Sequence, residues 1–293
     1  MSDRRLDPEL RPAAGLVPIR IGPGIFRWGE RTHIVGILNI TPDSFSGDGL
    51  VGRGELPTRA VAQARAMVLE GADLLDIGGE STRPGHAAVD ASDEIARVVP
   101  VLRAIRAELP AVPLSIDTSK PAVAAAALEA GADLINDVWG VAADDALARL
   151  AAERDVPLIL MHNRAEARYT NLLAEVIADL WRAIERSLAA GCRLESLIVD
   201  PGFGFGKAPH HNLELLRRLP ELHVLGRPIM LGTSRKSTLG RVLDLPVDER
   251  LEATLATTAL AAAAGIDLIR VHDVRANVRA ARLTDAIVRS GMP

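Results

Sequence analysis

Short apolar runs recur along the chain at residues 34–38, 74–78, 113–116, 133–135, 158–161, 197–199, 229–232 and 268–269. Nearly every run stops on a polar or charged residue followed by a turn. Asn39 closes the first, Asp76 comes near the end of the second, and Asp117, Asn136, His162 and Asp200 close or follow the next four. Ser234, Arg235 and Lys236 follow the seventh, and Arg270 with His272 closes the eighth. A parallel strand covered on both faces reads as a continuous apolar run, so polarity belongs where it emerges. Between the runs, apolar spacing predicts helices near 58–71, 91–108, 121–130, 144–154, 172–190, 211–219, 249–264 and 274–290.

Eight such units between 34 and 290 average about 32 residues, close to the length of a βαβ repeat. The alternation also permits an open doubly wound sheet, but eight even units favour closure into a (β/α)₈ TIM barrel. Gly71, Gly131 and Gly265 stand at helix ends, where glycine takes the left-handed conformation that stops a helix. Pro121 suits the first turn of its helix. The alanine-rich stretches 122–127 and 259–264 read as close-packed helices. Ahead of the barrel, two β-like pieces at 17–21 and 25–28 flank the turn Gly22-Pro23-Gly24, giving a short N-terminal hairpin over the lower mouth. Residues 1–15 read as a flexible arm and 16–293 as one domain.

Composition narrows the function classes. The 293 residues are 48% hydrophobic, enough for a sizeable core, and the net charge of −4 gives no bulk attraction to nucleic acid. The single cysteine, Cys192, excludes an intrachain disulfide and multi-cysteine metal sites, and reads as a reduced structural thiol. There is no apolar run of ~18 residues, and Met1-Ser2-Asp3-Arg4-Arg5 leads into a polar segment. The expectation is a cytoplasmic protein with no membrane partner.

The strand ends carry the candidate chemistry. Asn39 opens the loop Asn39-Ile40-Thr41-Pro42-Asp43-Ser44, which reads equally as a ligand-covering loop or as a turn with an Asn cap. Thr82, Arg83 and Pro84 lie in a Gly/Pro loop after the second strand, where Arg83 is either an anion fork or a solvated side chain. Asp117, Asn136 and Asp200 share one rim and suit the alternating N–H and N groups of a flat heterocycle. Any one of them alone would read as a turn cap. Asp200-Pro201-Gly202-Phe203-Gly204-Phe205-Gly206-Lys207 matches no nucleotide loop and reads as a pinned loop presenting Phe205. Lys236, Arg270 and His272, after strands seven and eight, form the basic cluster that this fold uses for phosphate groups. The histidines show no metal-binding spacing, so a protein-built zinc site is not expected.

In order, these segments resemble the dihydropteroate synthases of the pterin-binding family. The match runs from about Phe26 to the C-terminus through Gly36–Ser46, Asp76–Gly85, Ser115–Pro121, Ile135–Val138, Asp200–Lys207, Gly232–Gly240 and Arg270–Val274. The resemblance implies a TIM barrel that joins 6-hydroxymethyl-7,8-dihydropterin diphosphate to 4-aminobenzoate in folate biosynthesis. It implies pterin contacts from Asp117, Asn136, Asp200 and Lys236, with Asp117, Lys236 and Arg83 serving catalysis. It further implies Mg²⁺ held on the diphosphate by Asn39, with Arg270 and His272 on the diphosphate oxygens. Thr82, Arg83, Pro84, Phe205 and Ser234 would form the aminobenzoate pocket. A homodimer, and membership of a family that is the sulfonamide target, follow only by the same resemblance. Trp139 stands where a small residue is expected, and the chain after His162 lacks the family's Gly-x-Pro stretch. Two competing readings share the barrel: a corrinoid-dependent methyltransferase, which has no use for Arg83 or the basic cluster, and a non-catalytic paralogue.

Overall fold

The computed structural model describes residues 15–41, 55–80, 89–140 and 144–289. A two-stranded antiparallel hairpin, β1 (Ile19–Ile21) and β2 (Gly24–Phe26), precedes the barrel. The barrel strands are β3 (His33–Asn39), β4 (Leu74–Gly78), β5 (Leu114–Asp117), β6 (Leu134–Asp137), β7 (Leu158–Met161), β8 (Leu197–Asp200), β9 (Met230–Leu231) and β10 (Leu268–Val271). They are parallel and ordered β8-β7-β6-β5-β4-β3-β10-β9. A single parallel bridge, Val199 to Ile229, joins β8 to the start of β9 and brings the ring to near closure.

Helices α1 (Leu56–Glu70), α2 (Ala91–Glu108), α3 (Pro121–Glu129), α4 (Ala146–Glu153) and α5 (Leu172–Ala189) follow β3 to β7 in turn. After β8 come α6 (Pro209–Arg217) and a 3₁₀ segment, Leu219–Leu225. α7 (Ser237–Leu243) and α8 (Leu251–Ala263) follow β9, and α9 (Val274–Val288) follows β10. The eight helices expected from spacing are present within a few residues. α7 is an additional one, too short to leave a periodic signature. Gly71, Gly131 and Gly265 have φ of 105°, 108° and 80°, as helix-stopping glycines require. Asn171 caps α5, its Oδ1 accepting from Ala174 N at 3.3 Å. In α3 and α8 the small residues Ala124, Ala127, Ala261 and Ala262 are fully buried, so both helices lie close on their neighbours. Cys192 is buried, and burial raises its thiol pKa, in keeping with a structural role.

Side chains alternate between the two faces of a strand, and this alternation builds the site. Outward residues such as Ile34, Leu75, Ile116, Ile135, Leu160 and Val199 pack with the helices in one core. Inward residues Val35, Leu74, Leu134, Ile159, Ile198, Met230 and Leu268 pack instead with Ile19, Ile21, Phe26 and Trp28. The hairpin therefore plugs the lower mouth and gives the lumen an apolar floor. Two residues further along β4, β6, β8 and β10, the same inward face carries Asp76, Asn136, Asp200 and Arg270, with Ser115 and Asp117 on β5. The lumen changes from dry to polar within one rung.

Candidate functional site

The polar part of the lumen is organised around Asp76. It lies in the middle of β4 and is fully buried. Its Oδ1 accepts from Ser115 Oγ at 2.5 Å, and its Oδ2 accepts from Arg270 Nε at 2.5 Å and Asn136 Nδ2 at 3.1 Å. Arg270 also donates through Nη2 to Asp117 Oδ2 at 2.6 Å. A guanidinium paired with two carboxylates in one pocket keeps its charge and fixes its plane. Two acceptors of this pocket, Asp117 Oδ1 and Asn136 Oδ1, are buried with no hydrogen-bond partner among the described residues. Unpaired buried oxygens are costly, so such atoms mark where a ligand's donors belong.

Asp200 and Lys236 complete this wall. Gly202 N donates to Asp200 Oδ1 at 2.7 Å, as the chain turns out of β8. Burial holds the Asp200 carboxyl above the ordinary carboxylate range, opposed by the Lys236 charge. Lys236 immediately precedes α7, and its ammonium donates to the Phe203 carbonyl while lying 4.3 Å from the centre of the Phe205 ring. Burial lowers Lys236 to about 8, against the opposing pull of Asp200. Burial likewise pushes Asp117 up to about 7, with Arg270 pulling it back.

The glycine loop after β8 is pinned as its sequence suggested. Gly202, Gly204 and Gly206 all have positive φ, and a Cβ on Gly202 would meet the His162 carbonyl at 1.8 Å. Lys207 turns back into the loop and donates to the carbonyls of Gly202 (3.0 Å) and Phe205 (3.1 Å) and to His162 Nδ1 (2.8 Å). His162 is thereby assigned. Its Nε2 faces Asp179 at 3.1 Å, and burial together with Lys207 holds its pKa down at about 3, so the ring stays neutral. It fixes the loop that presents Phe205. The unusual residues after His162 belong to the same support. Arg164 pairs with Asp179 and Glu175, and the Tyr169 hydroxyl donates to the Gly206 carbonyl at 2.8 Å.

At the upper rim, Ser234 Oγ lies 3.0 Å from His272 Nδ1 and accepts from the His272 backbone N–H at 3.2 Å. Arg235 has a left-handed φ of 57° and turns away to pair with Asp273. Asn39 ends β3 beside Gly78 of β4. Trp139 is 44% exposed at the end of β6. Thr82, Arg83 and Pro84 lie outside the described residues, as do residues 42–54 of the first loop. The residues flanking 81–88 are joined, Val89 N donating to Glu80 Oε1 at 2.9 Å. Glu80 is held in turn by Lys120, which also donates to buried Glu94 at 2.6 Å.

The fold therefore brings Asp117, Asn136, Asp200, Lys236 and Arg270 into one lumen and places Ser234 with His272 above them. Arg270 shares the inward face of β10 with Leu268, and there it braces Asp76 and Asp117. Asp76 and Lys207 are the two members to which the sequence assigned no role, although both stand in the segments singled out there. The signal for Asp76 is its period-two spacing from Leu74 and Gly78. Lys207 had none beyond its place at the end of a glycine loop.

This lumen can hold a flat, polar heterocycle whose ring donors meet Asn136 and Asp117 and whose acceptors meet Lys236. Residues 35–272 match the family model described as pterin binding enzyme. A dihydropteroate synthase of Clostridium beijerinckii is 48% identical, the match covering 92% of this chain and all of that one. A solved dihydropteroate synthase from Clostridium difficile, in the presence of pteroic acid, superposes with a TM-score of 0.87 at 46% identity. That match covers 90% of this chain and all of the other. The Xanthomonas albilineans dihydropteroate synthase in complex with 7,8-dihydropteroate gives a TM-score of 0.85 at 39% identity, covering 94% and 100%.

Proposed function

The chain belongs to the pterin-binding enzyme family, and from that footing we propose how its lumen divides the work of one transfer reaction. It is a transferase that joins 6-hydroxymethyl-7,8-dihydropterin diphosphate to 4-aminobenzoate, releasing diphosphate and giving 7,8-dihydropteroate. The observation that carries the assignment of roles is the pair of unpartnered oxygens, Asn136 Oδ1 and Asp117 Oδ1, across from Lys236. They complement the donors and acceptors of one pterin edge, with Asp200 extending the wall.

Departure of diphosphate leaves cationic character on the pterin methylene. Ionised Asp117 is the carboxylate that would offset it, worth most in a site that excludes water. Arg270 keeps Asp117 oriented and carries positive charge toward the leaving group, while His272 and Ser234 stand at the rim where diphosphate oxygens would lie. Phe205, beside Lys236, offers the apolar face for the aminobenzoate ring, and Thr82, Arg83 and Pro84 would close that pocket. Among the described residues no cluster of three or more His, Cys, Asp or Glu could hold a metal. The donor set therefore suits Mg²⁺ only where substrate phosphates and water supply most ligands, a habit of that ion. Asn39 would contribute the protein oxygen, and Mg²⁺ when bound would neutralise the diphosphate charge. A cytoplasmic homodimer, with sulfonamides competing for the aminobenzoate pocket, completes the proposal. Among the described residues no helix is long and apolar enough to cross a membrane.

Titrating pterin diphosphate with and without Mg²⁺, then adding 4-aminobenzoate, tests the reading. Binding that tightens with Mg²⁺, followed by diphosphate release only after the arylamine is added, is expected. Binding of the pterin with no dihydropteroate formed would overturn it, and corrinoid-dependent methyl transfer would replace it.

The pH profile of kcat/KM for pterin diphosphate should be a narrow bell. Asp117 must be ionised and is raised to about 7, so activity falls as pH drops through that value. Lys236 must be protonated and is lowered to about 8, so activity falls again above it. A flat profile between about pH 6 and 9 would remove both groups from the free-enzyme ionisations that matter.

A further inference from the structure

Asp76 has no atom open to solvent, yet it ties three strands of the lumen together. Ser115 of β5 donates to one of its oxygens, and Asn136 of β6 and Arg270 of β10 donate to the other. We propose that Asp76 is a positioning residue that sets the hydrogen-bond polarity of the lumen. It holds the Asn136 amide with its oxygen toward the ligand, so that the pocket selects a ring donating a hydrogen bond there. This rests on the pterin-site reading above and adds a specificity determinant to it.

The chemistry forces the orientation. Ser115 Oγ donates to one oxygen of Asp76 and Arg270 Nε to the other, so the carboxylate oxygen facing Asn136 acts as an acceptor. The Asn136 group facing it at 3.1 Å must therefore be the NH₂. Turning the amide over would set two oxygens against each other and strand a buried NH₂, since Asn136 is only 2% exposed. The amide oxygen is thus committed to the lumen, where it is buried and unpartnered. Remove the acceptor at 76 and the amide is free to present either end.

The test is a binding profile. The affinity of a 2-amino-4-oxopteridine is compared with analogues in which each amino or ring N–H donor is replaced in turn by an acceptor. Wild type should reject each replaced donor that it contacts, by roughly 100-fold or more. In Asp76→Ala the penalty for one analogue, the one whose lost donor meets Asn136, should shrink at least about tenfold. The other penalties should change less than this one, and the KM for 4-aminobenzoate should hold. Asp76→Asn should retain the wild-type profile, because its carbonyl can accept from Asn136 and Arg270 while its NH₂ donates to Ser115 Oγ. If Asp76→Ala fails to fold, Asp76→Leu fills the space and gives the same reading. A uniform loss of affinity across the panel, or an altered profile in folded Asp76→Asn, would overturn the inference. A wild-type protein indifferent to the whole panel would instead overturn the pterin reading on which it rests.

Discussion

Lys236→Ala is expected to lower kcat/KM by about three orders of magnitude, split between weaker pterin binding and slower turnover. The ammonium sits between the Phe203 carbonyl, the face of Phe205 and the carboxylates of Asp200 and Asp117. Losing one charged hydrogen bond to the ligand costs roughly 2–3 kcal/mol, or about 100-fold in affinity. A further tenfold or so in kcat follows if the same charge opposes the negative charge gathering on the leaving diphosphate. Arginine should not rescue the variant, since its broad planar fork cannot occupy a position fitted to a compact ammonium. Isothermal titration with pterin diphosphate and steady-state kinetics separate the two components. Wild-type affinity in a folded Lys236→Ala would show that the ammonium faces away from the ligand in solution.

Asp117→Asn should be the more damaging change for chemistry while leaving the fold intact. Arg270 requires an acceptor at the Oδ2 position, so the new amide must place its oxygen there and its NH₂ where Oδ1 now faces the lumen. The substitution both removes the carboxylate charge and turns an acceptor into a donor. A fall in kcat/KM of roughly 10³–10⁴ is expected from the two effects together.

Stability should move the other way or not at all. The folded pKa of Asp117 lies above its unfolded value, so its ionisation costs stability that is absent at low pH and grows as pH rises toward about 7. The neutral amide does not carry that cost, and Arg270 keeps Asp76 as its partner. The Tm at pH 8 should therefore equal or exceed that of the wild type. A drop of many degrees would show that the Asp117–Arg270 pair is a net support of the barrel rather than a functional burden.

Much of this site could be read along the chain because its parts sit at the ends of strands. Asp117, Asn136 and Asp200 each end a buried strand or its last turn, where an isolated polar residue in an apolar run stands out. The glycines at 202, 204 and 206 announced a pinned loop, and their positive φ values bear that out. His162 was less legible, since its role depends on Lys207, 45 residues away, and on Asp179 of α5.

Apolar runs and helical spacing thus determined the barrel, its order of elements and most of the residues on its rim, because a strand buried on both faces leaves an apolar run that breaks only where it emerges, and each helix its own period. The hydrogen-bond partners were decided only by closure. Arg270 meets Asp76 across 194 residues of sequence and Asp117 across 153, because β10 pairs with β3 and the ring curves their inward faces together. Whether an inward Arg faces a phosphate or a carboxylate depends on which rung it occupies opposite other strands. Register around a ring is a property of all the strands at once, which is why the bracing of Asp76 and Asp117 by Arg270 left no mark in the segment around it.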